Sequence, residues 1–253
     1  MKVFTSSFKT KSNTILAAAF FLALWKLAAA GINTEIILPS PERVLKAFLE
    51  IIKNGKFLPA LGASALRGLF AFCLSMLLGS AAGFIFALSK TVESAFSPLM
   101  TVIRATPVLA VILLALIWFK SDFVPVFSAV IMAFPVVTAE IALGVKSVDP
   151  KLIEMARVFG SSARDRNLYI RLPSAMPHVL SAAKNALGLS WKVIVAGEVL
   201  SQPEKAIGTG MQYARVMLET AEVFAWASAA VLLCALSDAI FDRFGKKLAW
   251  PTK

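Results

Sequence analysis

Six long apolar runs dominate the 253-residue sequence: Thr14–Gly31, Leu58–Leu88, Phe96–Phe119, Phe123–Val145, Pro177–Leu200 and Val223–Phe244. Each reaches the ~17–25 residues that let an α-helix cross ~30 Å of hydrocarbon at ~1.5 Å per residue. None alternates with a period of two, which argues against a barrel and leaves helices as the spanning element. Composition agrees: 58% of residues are hydrophobic and 16% charged, against ~45–50% and ~25% in soluble domains. The expected fold is an all-α membrane protein of about six transmembrane helices, forming a single transmembrane domain over 1–253.

Basic residues set the expected orientation. With the N-terminus inside, fourteen Lys and Arg fall in inside segments and seven in outside ones; six of the fourteen lie in the 146–176 loop. By the positive-inside rule, both termini and that loop are cytoplasmic. The net charge of +11 is then accounted for by lipid-facing loops, and no nucleic-acid partner is needed. The first run ends in Ala28-Ala29-Ala30 and also has the shape of a cleavable signal peptide. Lys26 inside it, and the five runs that follow, favour a retained anchor. Outside, Val44, Leu45, Phe48, Ile51 and Ile52 recur at helical spacing after Pro41 and predict an amphipathic helix lying on the outer interface.

The 146–176 loop is the most informative stretch. Asp149-Pro150 is a helix start, an N-cap acceptor followed by proline at the first helical position. Leu152, Met155, Ala156 and Phe159 then share one face, and Gly160 is a natural stop. Ser162 and Asp165 fit a capping box, and Pro173 is expected to close the second segment. The result is a helical elbow with an apolar face in the cytosol, which calls for a covering partner.

Glu154-Met155-Ala156, three residues, Gly160, nine residues, then Ile170-Arg171-Leu172-Pro173 resembles the EAA loop of bacterial ABC importer permeases. Met155 stands where the family has alanine, and methionine packs adaptably. Leu38-Pro39-Ser40-Pro41, Ser64 with Arg67, Arg104-Ala105-Thr106-Pro107 and Ile207-Gly208-Thr209-Gly210 are similar to the nitrate/sulfonate/taurine branch. The resemblance implies an inner-membrane, multi-pass homodimer working with cytoplasmic ATPase subunits and an external substrate-binding protein. It also implies that Glu154, Ala156 and Gly160 belong to a coupling helix seated on the ATPase. No G-x-x-x-x-G-K-[ST] occurs in the chain, so ATP and Mg²⁺ are expected on the partner and no cofactor here.

Charged residues at membrane depth are costly and therefore candidates for function. Arg104, Lys192, Glu140 and Glu198, with the helix-breaking Pro107, are the candidate pathway residues. Two readings stand for Arg104 and Lys192: lining that helps an oxyanion cross, or partners for backbone carbonyls, Glu140 or Glu198. The small-residue stripe Ser75, Gly79, Gly83, Ala87 is expected to pack the bundle. Pro107 and Pro135 are expected to interrupt the third and fourth runs. An ion-coupled transporter using Glu140 and Glu198 is the alternative function; it leaves the elbow unexplained. Catalysis and metal binding are not expected, since His178 is the sole histidine, no serine sits in a nucleophile elbow, and Cys73 and Cys234 lie far apart in apolar runs.

Overall fold

The structure, a computed structural model, describes residues 3–248, with side chains described for 16–243 and 245. Lys2 and Lys253, and the side chains of Lys9, Lys11, Lys246 and Lys247, lie outside the described residues, and so does their part in the charge count. Every regular element among the described residues is a helix. Helix α1 (Val3–Ile32) leads to the short α2 (Pro41–Lys53) and the long α3 (Phe57–Leu88). Helices α4 (Lys90–Ala105) and α5 (Val108–Trp118) precede α6 (Phe123–Lys146). The elbow holds α7 (Pro150–Val158) and α8 (Ala163–Arg166), and α9 (Leu172–Ser201), α10 (Ile207–Val216) and α11 (Thr220–Leu248) complete the chain.

Three neighbours form the centre: α3 and α6 run parallel, and α9 runs antiparallel to both. Their contact faces are built from small residues, which suits a bilayer, where close backbone approach replaces the hydrophobic drive. A Cβ on Gly79 would lie 2.6 Å from the Val137 side chain, and one on Gly83 would lie 2.6 Å from the Thr138 carbonyl oxygen. The stripe on α3 is therefore the seam against α6, as expected from its spacing. Between α6 and α9, Gly197 meets Pro125 in the same manner, with a contact of 2.8 Å. At the end away from the elbow, Ile51 of α2, Phe57 of α3, Ile207 and Ala214 of α10, and Ala225 and Trp226 of α11 share a second core.

Several expectations need correction, but the interruption of the third run at Pro107 stands: α4 and α5 are bent by 98° from one another. Pro107 has no N–H to continue the helix, and its ring forces Thr106 into extended geometry, with φ −71° and ψ 125°. Pro135, in contrast, stays inside an unbroken α6. Pro173 does not close the elbow; it sits in the first turn of α9, where its missing N–H is harmless. A π-turn over Asn167–Arg171 joins α8 to α9, so the fifth crossing helix begins before Pro177 and carries that proline inside it. Helix α2 does more than lie on an interface, since Val44 and Ile51 are buried while Leu45 and Ile52 remain exposed. By length and composition alone, α3, α6 and α11 qualify as spans, and the bent α4–α5 pair adds a fourth. In α1 the apolar part is Leu16–Ile32, while α9, though 30 residues long, is diluted by Lys184, Lys192 and Glu198.

Candidate functional site

The elbow is constructed by local chemistry. Asp149 accepts from the Lys151 amide at 2.9 Å, capping α7. At the far end Gly160 adopts φ +76°, a left-handed geometry that costs glycine least. Its amide donates to the Arg157 carbonyl and that of Ser161 to the Ala156 carbonyl, both at 3.0 Å, closing the helix with paired bonds. The next helix starts at once. The Asp165 amide donates to Ser162 Oγ at 3.1 Å, and Asp165 Oδ2 accepts from the Ser162 amide at 3.3 Å. Arg166 reaches back to the Ser161 carbonyl.

No residue of α7 is buried. Leu152 is 44% exposed, Met155 53%, Val158 85% and Phe159 84%, so the apolar face has no cover among the described residues. Glu154 and Gly160 are also exposed, Ala156 half-buried; Ile170 is half-buried, and Leu172 and Pro173 are exposed. The structure thus gathers Leu152, Met155 and Phe159 on α7 and its C-cap, with Ile170 on the π-turn and Leu172 and Pro173 in the first turn of α9.

The opposite end holds a buried charged joint. Glu198 of α9 is wholly buried. Ser64 Oγ lies 2.8 Å from both of its carboxylate oxygens, Arg67 Nη1 donates at 3.0 Å, and the Gly208 amide donates at 3.2 Å. Ser64 Oγ in turn accepts from the Ile207 amide at 3.0 Å. The first two amides of α10 are therefore bound by α3 and α9, a placement that also favours the negative charge. Arg67 spans the joint: Nη1 also donates to the Lys205 carbonyl at 2.9 Å, and Nη2 pairs with the Asp122 carboxylate at 2.5 Å. Asp122 lies in the turn between α5 and α6, which Ser201 Oγ ties to α9 through the Ser121 carbonyl at 3.0 Å. Asp122 stands at the N-cap of α6 without a side-chain bond to that helix, its carboxylate turned to Arg67 instead. Gly208 is required at its place, because a Cβ there would lie 2.6 Å from Glu198 Cβ.

The remaining candidates are dispersed. Arg104, near the end of α4, donates Nη2 to the Pro135 carbonyl at 3.0 Å. Lys192 is exposed on α9, with no hydrogen-bond partner among the described residues. Glu140 lies 3.9 Å from His178 Nδ1, a neighbour that sequence reasoning did not assign. Pro107 sits at the bend between α4 and α5. Lys192 and Glu198 do not pair, and neither Arg104 nor Lys192 reaches Glu140 or Glu198. On the elbow side, Lys184 and Asp242 join α9 to α11 at 2.8 Å.

Comparison with known proteins gives a consistent result. Residues 75–250 match the family described as Binding-protein-dependent transport system inner membrane component. An aliphatic sulfonates transport permease protein of Escherichia coli (strain K12) is 31% identical over 223 residues, covering 87% of this chain and 83% of that protein. The taurine transport system permease protein of the same strain is 28% identical over 230 residues, covering 87% and 82%. Among solved structures, an inward-facing MetNI methionine ABC transporter chain superposes with a TM-score of 0.66 at 14% identity, covering 76% of this chain and 96% of that one. At that identity the likeness speaks for the fold.

Proposed function

Because the chain belongs to the family of binding-protein-dependent transport system inner membrane components, on its sulfonate, taurine and nitrate branch, we propose that two copies of it form the pathway for a small solute of that kind. An external binding protein delivers the solute, and separate ATPase subunits supply the energy through the α7 elbow. The elbow faces the cytoplasm, as do both termini, with α2 and α10 on the outer side. The observation that carries this reading is the apolar face of α7, left bare by its own chain on a helix whose two ends are fully capped. A helix shaped that firmly and covered by nothing is a handle for another protein. ATP-driven closure of the ATPase pair would draw the two elbows together and rock the spans between outward- and inward-open states.

Ion coupling through Glu198 fits poorly. Both of its oxygens are occupied by Ser64, Arg67 and Gly208, and no surface of it meets water. The test is uptake of labelled taurine, an alkanesulfonate and nitrate into proteoliposomes holding the permease, its ATPase and its binding protein. Uptake should require ATP and persist after ionophores dissipate the ion gradients. Uptake that continues without ATP and stops with the gradient would overturn the proposal.

A further inference from the structure

Helix α4 carries a polar stripe: Lys90, Ser94, Ser97, Thr101 and Arg104 follow one another at intervals of three and four residues, and all are exposed. Such spacing puts them on one face. Met100 lies at the edge of that stripe, buried against Phe86 of α3 and Ala142 of α6, while Leu99 and Val102 on the far side are apolar and exposed. Helix α4 runs alongside the inner half of α6. Glu93 Oε2 is 2.6 Å from Lys146 at the end of α6, and Arg104 reaches Pro135. Pro135 lies twelve residues from Phe123 and eleven from Lys146, which is about 18 and 17 Å along the helix. Arg104 is therefore at the middle of the bilayer.

A cleft of about 340 Å³ lies between α4 and α6, with Arg104, Thr101, Ser97 and Thr138 on its wall and the Glu93–Lys146 pair at its inner end. That volume falls in the ~300–1,000 Å³ of small-molecule sites. Among the described residues no carboxylate lies within ion-pair reach of Arg104, and one carbonyl bond occupies only one of its five donors. An exposed guanidinium at mid-bilayer cannot face lipid tails, so this face of α4 lines water. The uncommitted planar donors match an oxyanion.

We propose that this cleft is where the solute meets the permease inside the membrane, with Arg104 as the contact for its oxyanion group and the bend at Thr106-Pro107 as the joint above it. The site rests on the importer reading, yet its test needs neither ATP nor the natural solute. Thr101→Cys, in a chain with Cys73→Ala and Cys234→Ala, is assembled with its ATPase in proteoliposomes. It is then treated with the sulfonatoethyl and the trimethylammonioethyl methanethiosulfonates, and each rate is divided by that for a free thiol in solution.

The anionic reagent should react about 10-fold faster than the cationic one after this correction. Arg104→Lys should keep the preference and Arg104→Gln should remove it. A Thr101→Cys chain inert to both reagents would show a dry face and overturn the site. A preference unchanged by Arg104→Gln would do the same. Should Arg104→Gln fail to assemble, equal corrected rates for the two reagents in the Arg104 chain would overturn it by themselves. Loss of ATP-driven uptake in the unaltered protein, with the labelling preference intact, would instead count against the importer reading alone.

Discussion

The two ends of the molecule solve opposite problems. At the α10 end, a buried carboxylate meets a half-buried guanidinium, and both carboxylate oxygens accept hydrogen bonds from described residues. At the elbow end, the backbone is fully capped while large apolar side chains stand in the open. The first end is complete by itself; the second is shaped and left unfinished. The contrast teaches that charge in the interior and grease on the outside need different explanations. A buried ion pair with matched bonds fixes how helices meet, whereas a bare apolar face requires another chain. A residue such as Glu198, suspicious in the sequence because it is charged in a span, is a fastening, while Phe159, on the elbow's apolar face, stands 84% exposed.

Breaking the fastening should have the largest effect. Glu198→Ala leaves the buried Ser64 hydroxyl and Gly208 amide without their acceptor and takes from Arg67 its buried partner, and should destabilise the fold by about 3–5 kcal/mol. The measurement is thermal unfolding of the detergent-purified permease; a change no larger than that of a surface variant would refute the joint. Gly208→Ala tests the same place sterically. Its Cβ would press on Glu198 Cβ and on the backbone of Val195 and Val199, costing about 1–3 kcal/mol, to be read in the same unfolding assay.

Gly160→Ala probes the other end. The φ of +76° makes alanine strained, while no atom lies within 4 Å of the added Cβ. The cost of about 1–2 kcal/mol should stay local. Proteolytic nicking of the elbow should rise about 5–30-fold, with bundle unfolding unchanged. Equal loss at both ends would mean that the two regions are not independent.

The smallest effect belongs to the exposed pair Lys26–Glu42, 2.5 Å apart at the outer side. The hydrogen bond from Lys26 holds the Glu42 carboxyl below its ordinary value. Its contribution is thus complete above the ordinary carboxylate range and disappears as pH falls through the lowered value. Lys26→Met should make the seating of α1 on α2, followed by hydrogen exchange, insensitive to pH in that acidic window, with little change at neutrality.

What the sequence disclosed follows range of interaction. Asp149, Pro150, Gly160, Ser162 and Asp165 determine the elbow through bonds within a few residues of one another, so its caps and its apolar face were readable in advance. The joint was not. Ser64 and Arg67 lie 134 and 131 residues from Glu198, and nothing local says that they meet. The sequence marked Ser64, Arg67 and Ile207-Gly208 as separate fragments of a family resemblance, and their shared carboxylate emerged only from the packing of α3 against α9. The bend in the third run was hidden for a different reason. Its hydropathy is continuous across Thr106-Pro107, and a window of apolar residues does not register a 98° bend. Proline alone marks a place of interruption without its depth: Pro107 divides two helices, while α6 absorbs Pro135 unbroken. Pro173 shows the converse, since a proline ending one segment and a proline opening the next look the same until the π-turn before it is seen.

The central claim is that the bare face of α7 is covered in the working complex, and labelling of a cysteine at Phe159 tests it most directly. In a Phe159→Cys chain lacking Cys73 and Cys234, a membrane-impermeant maleimide should react readily with the isolated permease. Adding the ATPase subunits should slow labelling at least about 10-fold, as burial under a docked protein requires. Undiminished labelling in an assembly that hydrolyses ATP and imports solute would contradict the account.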